Sequence, residues 1–227
     1  MRTDELIVEL ARAASPVRPL PGPSVRLMRW IVAMVPLTAL AAIVIGPRAD
    51  AVAAMSQPAF LGIAVVTLCT ALLSAASALI LSIPGADRWA LQRVMPLVSG
   101  GLWVAALSAF LTTGGEALER LLRFPLHWTC VIEIAALSVV PGWVLFAMVR
   151  RAAPLRRAWS GALATLAAVG LSAAATQFIC PLDDPAHQLV GHVLPVAVLS
   201  VLGAFVGHRY LNWLDGPDAP QKTRATD

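Results

Sequence analysis

Thiol, imidazole and carboxylate side chains are concentrated in two short stretches of this chain. In the first stretch, His127, Cys130 and Glu133 recur at every third position, so on a helix they form one broad stripe. The second stretch begins at Cys180 and adds two carboxylates and two imidazoles, from Asp183, Asp184, His187 and His192. Thiolate and imidazole together suit a soft or borderline metal ion such as zinc or cadmium, whereas two thiols alone suffice for redox sensing. Such an ion is the candidate cofactor, although the pattern requires none.

Several of these side chains also have a structural interpretation. Asp184 stands directly before a proline, which is the pattern of a helix N-cap followed by proline at the first helical position. His127 precedes a tryptophan, as in the aromatic belt at a membrane interface. Glu133 falls about one turn inside an apolar run, where a carboxylate indicates function by default; the alternative is that its side chain reaches out to the lipid head groups. His187 and His192 are five residues apart, about 140° on an ideal helix, so they need not share a target.

The elements that carry these residues follow from composition. The chain has 227 residues, of which 58% are hydrophobic and 13% are charged, whereas a globular domain carries about a quarter charged residues. Six apolar blocks approach the ~20 residues that a helix needs to cross a bilayer, and lipid demands that each satisfy its own backbone. The sequence therefore predicts an all-α integral membrane bundle of six transmembrane helices, at residues 27–46, 58–83, 94–113, 128–149, 159–180 and 188–208.

Individual residues within these blocks predict how the helices pack. Gly161 on the fifth span, and Gly203 and Gly207 on the sixth, would allow two helices to approach closely. Cys69 falls in the middle of the second span and is interpreted as a buried packing thiol.

The basic residues predict the orientation of the bundle. The net charge is +4, and 14 of the 17 Lys and Arg residues fall on the side that holds both chain ends. The positive-inside rule places that side in the cytoplasm. Because the arginines sit at helix ends, the partner that they indicate is the lipid bilayer and not nucleic acid. Cys130 and Cys180 then lie at one depth on the non-cytoplasmic side, where disulfides can persist.

The predicted domains are a cytoplasmic N-terminal segment at 1–26, a transmembrane domain at 27–208 and a cytoplasmic tail at 209–227. In the N-terminal segment, Thr3 can cap a short amphipathic helix, which a proline-rich spacer at 16–23 separates from the membrane. An alternative is a disordered leader whose arginines touch anionic lipid. The acidic residues Asp4 and Glu5 lie in the first turn of this helix. Its apolar side is formed by Leu6, Ile7 and Leu10.

The quoted motifs resemble a known family. The opening Arg2-Thr3-Asp4-Glu5-Leu6-Ile7, the spacer Pro16-Val17-Arg18-Pro19-Leu20 and the segment Cys180-Pro181-x-Asp183-Asp184-Pro185-x-His187, leading to Gly203-Ala204-Phe205-Val206-Gly207, are similar to the negative regulator of sigma F (NrsF) family. The resemblance implies a multi-pass anti-sigma factor of the bacterial inner membrane. It also implies that the N-terminal segment holds an extracytoplasmic-function sigma factor, and that two outward-facing cysteines, here Cys130 and Cys180, sense stress.

These observations lead to one functional hypothesis and two rivals. The hypothesis is an anti-sigma factor, not an enzyme, that releases its sigma factor when Cys130 and Cys180 bind a metal ion or form a disulfide. The sigma-binding candidates are the five N-terminal residues named above. A membrane thiol oxidoreductase would need a second exchanging thiol pair, which this chain of three cysteines lacks. A metal-ion transporter would need polar ligands near the bilayer midplane.

Overall fold

The computed structural model describes residues 2–14, 19–85, 91–112, 119, 121 and 127–212. Part of the proline-rich spacer, the basic residues Arg18, Arg88, Arg120 and Arg123, and the tail from 213 onward, with Lys222 and Arg224, lie outside the described residues. The described residues form helices and no strand. The helices are α1 (Thr3–Ala13), α2 (Pro23–Ile45), α3 (Ala51–Met55), α4 (Pro58–Leu81), α5 (Leu91–Thr112), α6 (Trp128–Arg150), α7 (Arg157–Thr176) and α8 (Pro185–Tyr210).

Six of these helices, α2 and α4 to α8, are long and apolar enough to cross a membrane. This confirms the predicted all-α fold with six candidate spans, but most helix ends differ from prediction by one to four residues, and two of the differences matter for the site. Helix α2 begins at Pro23, within the segment assigned to the N-terminal domain, because proline is favoured at the first helical position. Helix α7 ends at Thr176, so Cys180 lies beyond it and not within it. Pro181 disfavours helical geometry at the residue before it, and residues 180–184 have no regular secondary structure.

Helix α7 is the centre of the bundle and packs against α4, α6 and α8. Its contact with α8 depends on glycine, as the sequence predicts. A Cβ atom on Gly161 would lie 2.4 Å from the carbonyl oxygen of Gly203 and 2.5 Å from Cα of Gly207. Because such approaches leave no room for a side chain, the two backbones pack directly against each other.

The outward faces of the spans are apolar, as expected of surfaces that meet lipid. Val44 is 78% exposed and Phe205 is 70% exposed, although both are large and hydrophobic. Cys69 is also exposed, so the prediction of a buried packing thiol is wrong. The reason is helical phase: Thr67 and Thr70 are buried in the bundle, which turns position 69 outward.

Helix α1 stands apart from the core, and every one of its residues is exposed. Its first helical residue is Thr3, so the predicted cap at Thr3 is wrong. The cap position is taken by Arg2, whose backbone N–H donates to the Glu5 carboxylate at 3.0 Å. Asp4 and Glu5 occupy the first turn, where negative charge is favourable.

Candidate functional site

Three separate elements bring thiol and imidazole groups to one end of the bundle, here called the cysteine end. Cys130 lies in the first turn of α6, and Cys180 lies in the segment between α7 and α8. His187 and His192 lie in the first turns of α8. The start of α8 is fixed by Asp184, whose carboxylate accepts hydrogen bonds from the backbone N–H groups of residues 186 and 187 at 2.8 and 3.3 Å. Asp184 is therefore the N-cap that its position before proline indicates.

A π-helical segment aligns the two histidines. Residues Gln188–Val193 form i to i+5 hydrogen bonds, so side chains five apart lie one above the other. The ring centroids of His187 and His192 are 5.3 Å apart. The separation of about 140° that an ideal helix predicts therefore does not hold here, and the two rings lie together. Gly191 faces the His187 ring, because a Cβ atom at position 191 would lie 3.0 Å from Cε1 of that ring.

The two thiols and two imidazoles form one compact, buried group, here called the Cys2His2 cluster: Cys130, Cys180, His187 and His192. Its four candidate ligand atoms all lie within 4.8 Å of one another, and both histidines are 0% exposed. The two Sγ atoms are 3.5 Å apart, and His187 Nε2 lies 3.2 Å from Cys180 Sγ and 3.6 Å from Cys130 Sγ.

These distances fit a tetrahedral metal site. With Zn–S near 2.3 Å and Zn–N near 2.0 Å, two sulfur ligands are separated by roughly 3.8 Å, and sulfur and nitrogen by roughly 3.6 Å. The cluster could therefore accept an ion with small movements of side chains. It could equally form a disulfide, since the sulfur atoms need only approach to about 2.05 Å.

The electrostatics of the cluster favour a thiolate at Cys180, which lies outside the membrane-spanning helices. The Cys130 thiol donates a hydrogen bond to Cys180 Sγ, and this contact, aided by His187 and His192, lowers the pKa of Cys180 well below its usual value against the effect of burial. The His192 ring is near enough to contribute, yet within the described residues neither of its nitrogens has a hydrogen-bond partner of ordinary geometry. A buried imidazole without such a partner is unfavourable, and a metal ion would satisfy it.

The other predicted site residues lie around the cluster and not in it. His127 packs edge-on against the His187 ring, with centroids 5.1 Å apart. Glu133 is half-buried one turn beyond Cys130. Asp184 caps α8, as described. Asp183 points the other way and pairs with an arginine that sequence analysis counted only for orientation.

That arginine is Arg48, which lies just beyond α2 and is 6% exposed. Its guanidinium meets both carboxylate oxygens of Asp183 at 2.6 Å and both of Asp50 at 2.6 and 2.9 Å. These hydrogen bonds, with Asp183 first, raise the pKa of Arg48 and keep it charged, and Arg48 in turn lowers the pKa of Asp50. Arg48 Nη1 also donates to the carbonyl oxygen of Cys180 at 3.2 Å. An isolated arginine directly after a span was the one sequence signal for this contact.

The N-terminal candidates occupy a second surface, on α1. Leu6, Ile7 and Leu10 are 39%, 58% and 61% exposed, and they share one side of the helix. Asp4 and Glu5 precede them in the first turn. The helix therefore presents an apolar side with acidic residues at its start, and none of its residues contributes to the core.

Comparison with known proteins gives one match. The family described as negative regulator of sigma F matches residues 10–213, nearly the whole chain. This is a family of regulators and not of enzymes, and its description implies a sigma factor as partner. No curated protein and no solved structure matches the chain. With the match extending from α1 through the Cys2His2 cluster to the end of α8, the chain belongs to the negative regulator of sigma F family.

Proposed function

We propose that this protein is an anti-sigma factor of the bacterial inner membrane that holds an extracytoplasmic-function sigma factor and releases it when the Cys2His2 cluster binds a metal ion or is oxidised. The observation that carries the sensing role is the burial of two thiols and two imidazoles within 4.8 Å of one another. Buried polar groups at such a density are unfavourable unless they serve a ligand or a reaction. Family membership supports the regulatory role.

The proposed orientation places both chain ends in the cytoplasm and the cysteine end in the periplasm. The distribution of basic residues supports it, with 14 of 17 on the side of the chain ends. The periplasm is also where metal ions and oxidants arrive first and where a disulfide can persist. The cluster would thus meet the signal on one side of the membrane while α1 meets the sigma factor on the other.

The proposed grip on the sigma factor uses α1. An amphipathic helix typically binds by laying its apolar side into a groove of its partner. Leu6, Ile7 and Leu10 supply that side, and Asp4 and Glu5 add charges that complement a basic rim. The cytoplasmic N-terminal segment at 1–26 would thereby serve as the binding domain, and the spans at 27–208 as the sensor.

Two chemical events can operate the sensor. Cys130, Cys180 and His187, with His192, would hold a zinc or cadmium ion, which supplies positive charge to a buried thiolate. Alternatively, peroxide would take two electrons and two protons from Cys130 and Cys180, forming one S–S bond and two molecules of water. Either event displaces the segment before α8 relative to α6: a disulfide draws the sulfur atoms from 3.5 Å to about 2.05 Å, whereas an ion spaces them to roughly 3.8 Å. A change of 1–3 kcal/mol in sigma-factor binding, about 5- to 150-fold, is then sufficient for release.

Co-purification tests the proposal. The tagged full-length protein is isolated from its own cells in mild detergent, and the proteins retained with it are identified before and after treatment with Cd²⁺ or peroxide. We expect a sigma factor to be retained and then released. Cys130→Ser with Cys180→Ser should retain it under both treatments, while the control Cys69→Ser should behave as wild type. Retention of no sigma factor would refute the regulatory role, and release from the double variant would refute the sensing role.

A thiol oxidoreductase is not favoured by the geometry. Cys69 lies on the lipid-facing side of α4, so the cluster has no second thiol pair with which to exchange. A transporter is not favoured either, because the cluster lies at one end of the bundle.

A further inference from the structure

The segment that carries Cys180 makes several hydrogen bonds with one residue from outside it, Arg48. The Arg48 backbone N–H donates to the carbonyl oxygen of Phe178 at 2.9 Å, and Nη1 donates to that of Cys180 at 3.2 Å. The same guanidinium forms a two-pronged ion pair with Asp183. One residue thus contacts this segment on both sides of the cysteine and at the cysteine itself.

Arg48 also has partners outside the Cys180 segment. Asp50 forms a second two-pronged ion pair with Arg48. The Arg48 guanidinium also lies 5.6 Å from the centre of the Phe60 ring on α4. Phe60 in turn packs edge-on against Phe178 at 5.3 Å. Planar two-pronged pairs of this kind fix direction as well as distance. A displacement of the Cys180 segment therefore moves Arg48 with it.

Arg48 lies three residues beyond α2, and α2 runs the full depth of the bundle from there. At the opposite end, the buried Arg26 donates to the carbonyl oxygen of Met148 on α6 and, at 3.5 Å, to Oγ of Ser82 at the end of α4. Along the way, Trp30 Nε1 donates to the carbonyl oxygen of Pro141 at 3.0 Å. Helix α2 is the span that leads directly into residues 14–22 and then α1.

We propose that Arg48 is a positioning residue that ties the Cys180 segment to α2 and so transmits a change at the Cys2His2 cluster to the N-terminal segment. This inference rests on the proposed function and deepens it. A disulfide draws Cys180 toward Cys130, and a bound ion displaces it slightly the other way, from 3.5 Å to roughly 3.8 Å between the sulfur atoms. The contacts through Arg48 move the end of α2 in the same direction as Cys180, and the first span shifts relative to α4 and α6.

The inference predicts a separation between sensing and response. Arg48→Gln removes the ion pairs, whereas Asp183→Asn weakens only the link to the Cys180 segment and leaves Arg48 in place. Because neither residue belongs to the cluster, both variants should bind Cd²⁺ within about threefold of wild type. In both, Cd²⁺ should change the affinity for the retained sigma factor by less than about twofold, against the 5- to 150-fold typical of coupled sites.

The matched control is Asp50→Asn, which removes the other ion pair of the same guanidinium and leaves the link to Asp183 intact. We expect it to release the sigma factor as wild type does. The measurements use the full-length protein in detergent, with Cd²⁺ binding and sigma-factor affinity titrated separately, and thermal unfolding as a check on the fold. Asp183 has a side chain that is 44% exposed, so its variant should fold even if Arg48→Gln does not.

The outcomes distinguish this inference from the function on which it rests. If wild type neither binds Cd²⁺ nor releases the sigma factor, the proposed function fails, and the inference fails with it. If wild type responds and Asp183→Asn responds equally, the sensor stands and Arg48 does not transmit its signal. If Asp183→Asn loses Cd²⁺ binding itself, the ion pair builds the site, and the transmitting role is refuted. If Asp183→Asn still binds Cd²⁺ but no longer releases the sigma factor, the inference is supported.

Discussion

The two histidines of the cluster should contribute unequally to metal binding, and His187 should contribute more. His187 Nε2 already lies 3.2 and 3.6 Å from the two sulfur atoms, close to the edges of a tetrahedral site. His192 is within 4.8 Å of the other ligands, but within the described residues neither of its nitrogens has a hydrogen-bond partner of ordinary geometry. We therefore expect its ring to need the larger reorientation to reach an ion.

The expected magnitude follows from the strength of tetrahedral sites. A structural zinc site contributes about 10–16 kcal/mol from four ligands, or roughly 3 kcal/mol for each. Loss of one full ligand therefore weakens binding by about 100-fold, since 1.4 kcal/mol is a factor of ten. We expect His187→Ala to raise the Kd for Cd²⁺ by about that factor. His192→Ala should raise it by about tenfold, the lower limit for residues that support a ligand.

The assay is titration of the purified protein in detergent with Cd²⁺, followed by the thiolate-to-metal absorbance and by competition with a chelator. His208→Ala is the control, because His208 lies exposed at the opposite end of the same helix. Thermal unfolding without metal checks that each variant is folded. An effect of His192→Ala as large as that of His187→Ala would refute the unequal geometry. A change below threefold in both variants would refute the imidazole ligands altogether.

Three further predictions concern the surroundings of the cluster and the packing below it. Gly191→Val places a side chain against the His187 ring, since a Cβ atom at position 191 would lie 3.0 Å from it, and Cd²⁺ affinity should fall about tenfold. The control is Gly62→Val, where a Cβ atom meets nothing within 4 Å, and this variant should bind Cd²⁺ as wild type does. Gly161→Leu places a Cβ atom 2.4 Å from the carbonyl oxygen of Gly203. This variant should lower the free energy of unfolding in detergent by about 1–3 kcal/mol, again relative to Gly62→Val. Mild oxidation should remove two of three titratable thiols, and mass spectrometry should find Cys130 linked to Cys180; three thiols remaining, or any other pair, would contradict the observed separation of 3.5 Å.

The six spans could be predicted from sequence because each depends on a local property, the length of an apolar run. Which side of a span faces lipid could not be read so easily, since both sides are apolar. Cys69 was placed on the wrong side for this reason. Glycines are different: Gly161 and Gly203 predict a close contact because few other roles suit them in the middle of a span.

The alignment of His187 and His192 was missed because it depends on a departure from α-helical periodicity. The π segment has one visible cause in the sequence. Pro195 has no N–H to give to the carbonyl oxygen of Gly191, its usual α-helical partner, so the regular pattern is already broken there. A proline four residues after a glycine was therefore the available signal, although the π register itself depends on packing around both rings.

Arg48 was missed for another reason: its partner Asp183 lies 135 residues away along the chain. Its importance follows from the hydrogen-bond donors that the segment between α7 and α8 requires. Backbone carbonyl groups outside a helix need donors that neighbouring apolar helices do not provide. Arg48 gives its backbone N–H to Phe178 and its side chain to Cys180, and it retains its charge by pairing with two carboxylates. Because Arg48 supplies these hydrogen bonds to the cysteine segment, it follows the movement of that segment, and it can transmit a change at the cluster without being one of its ligands.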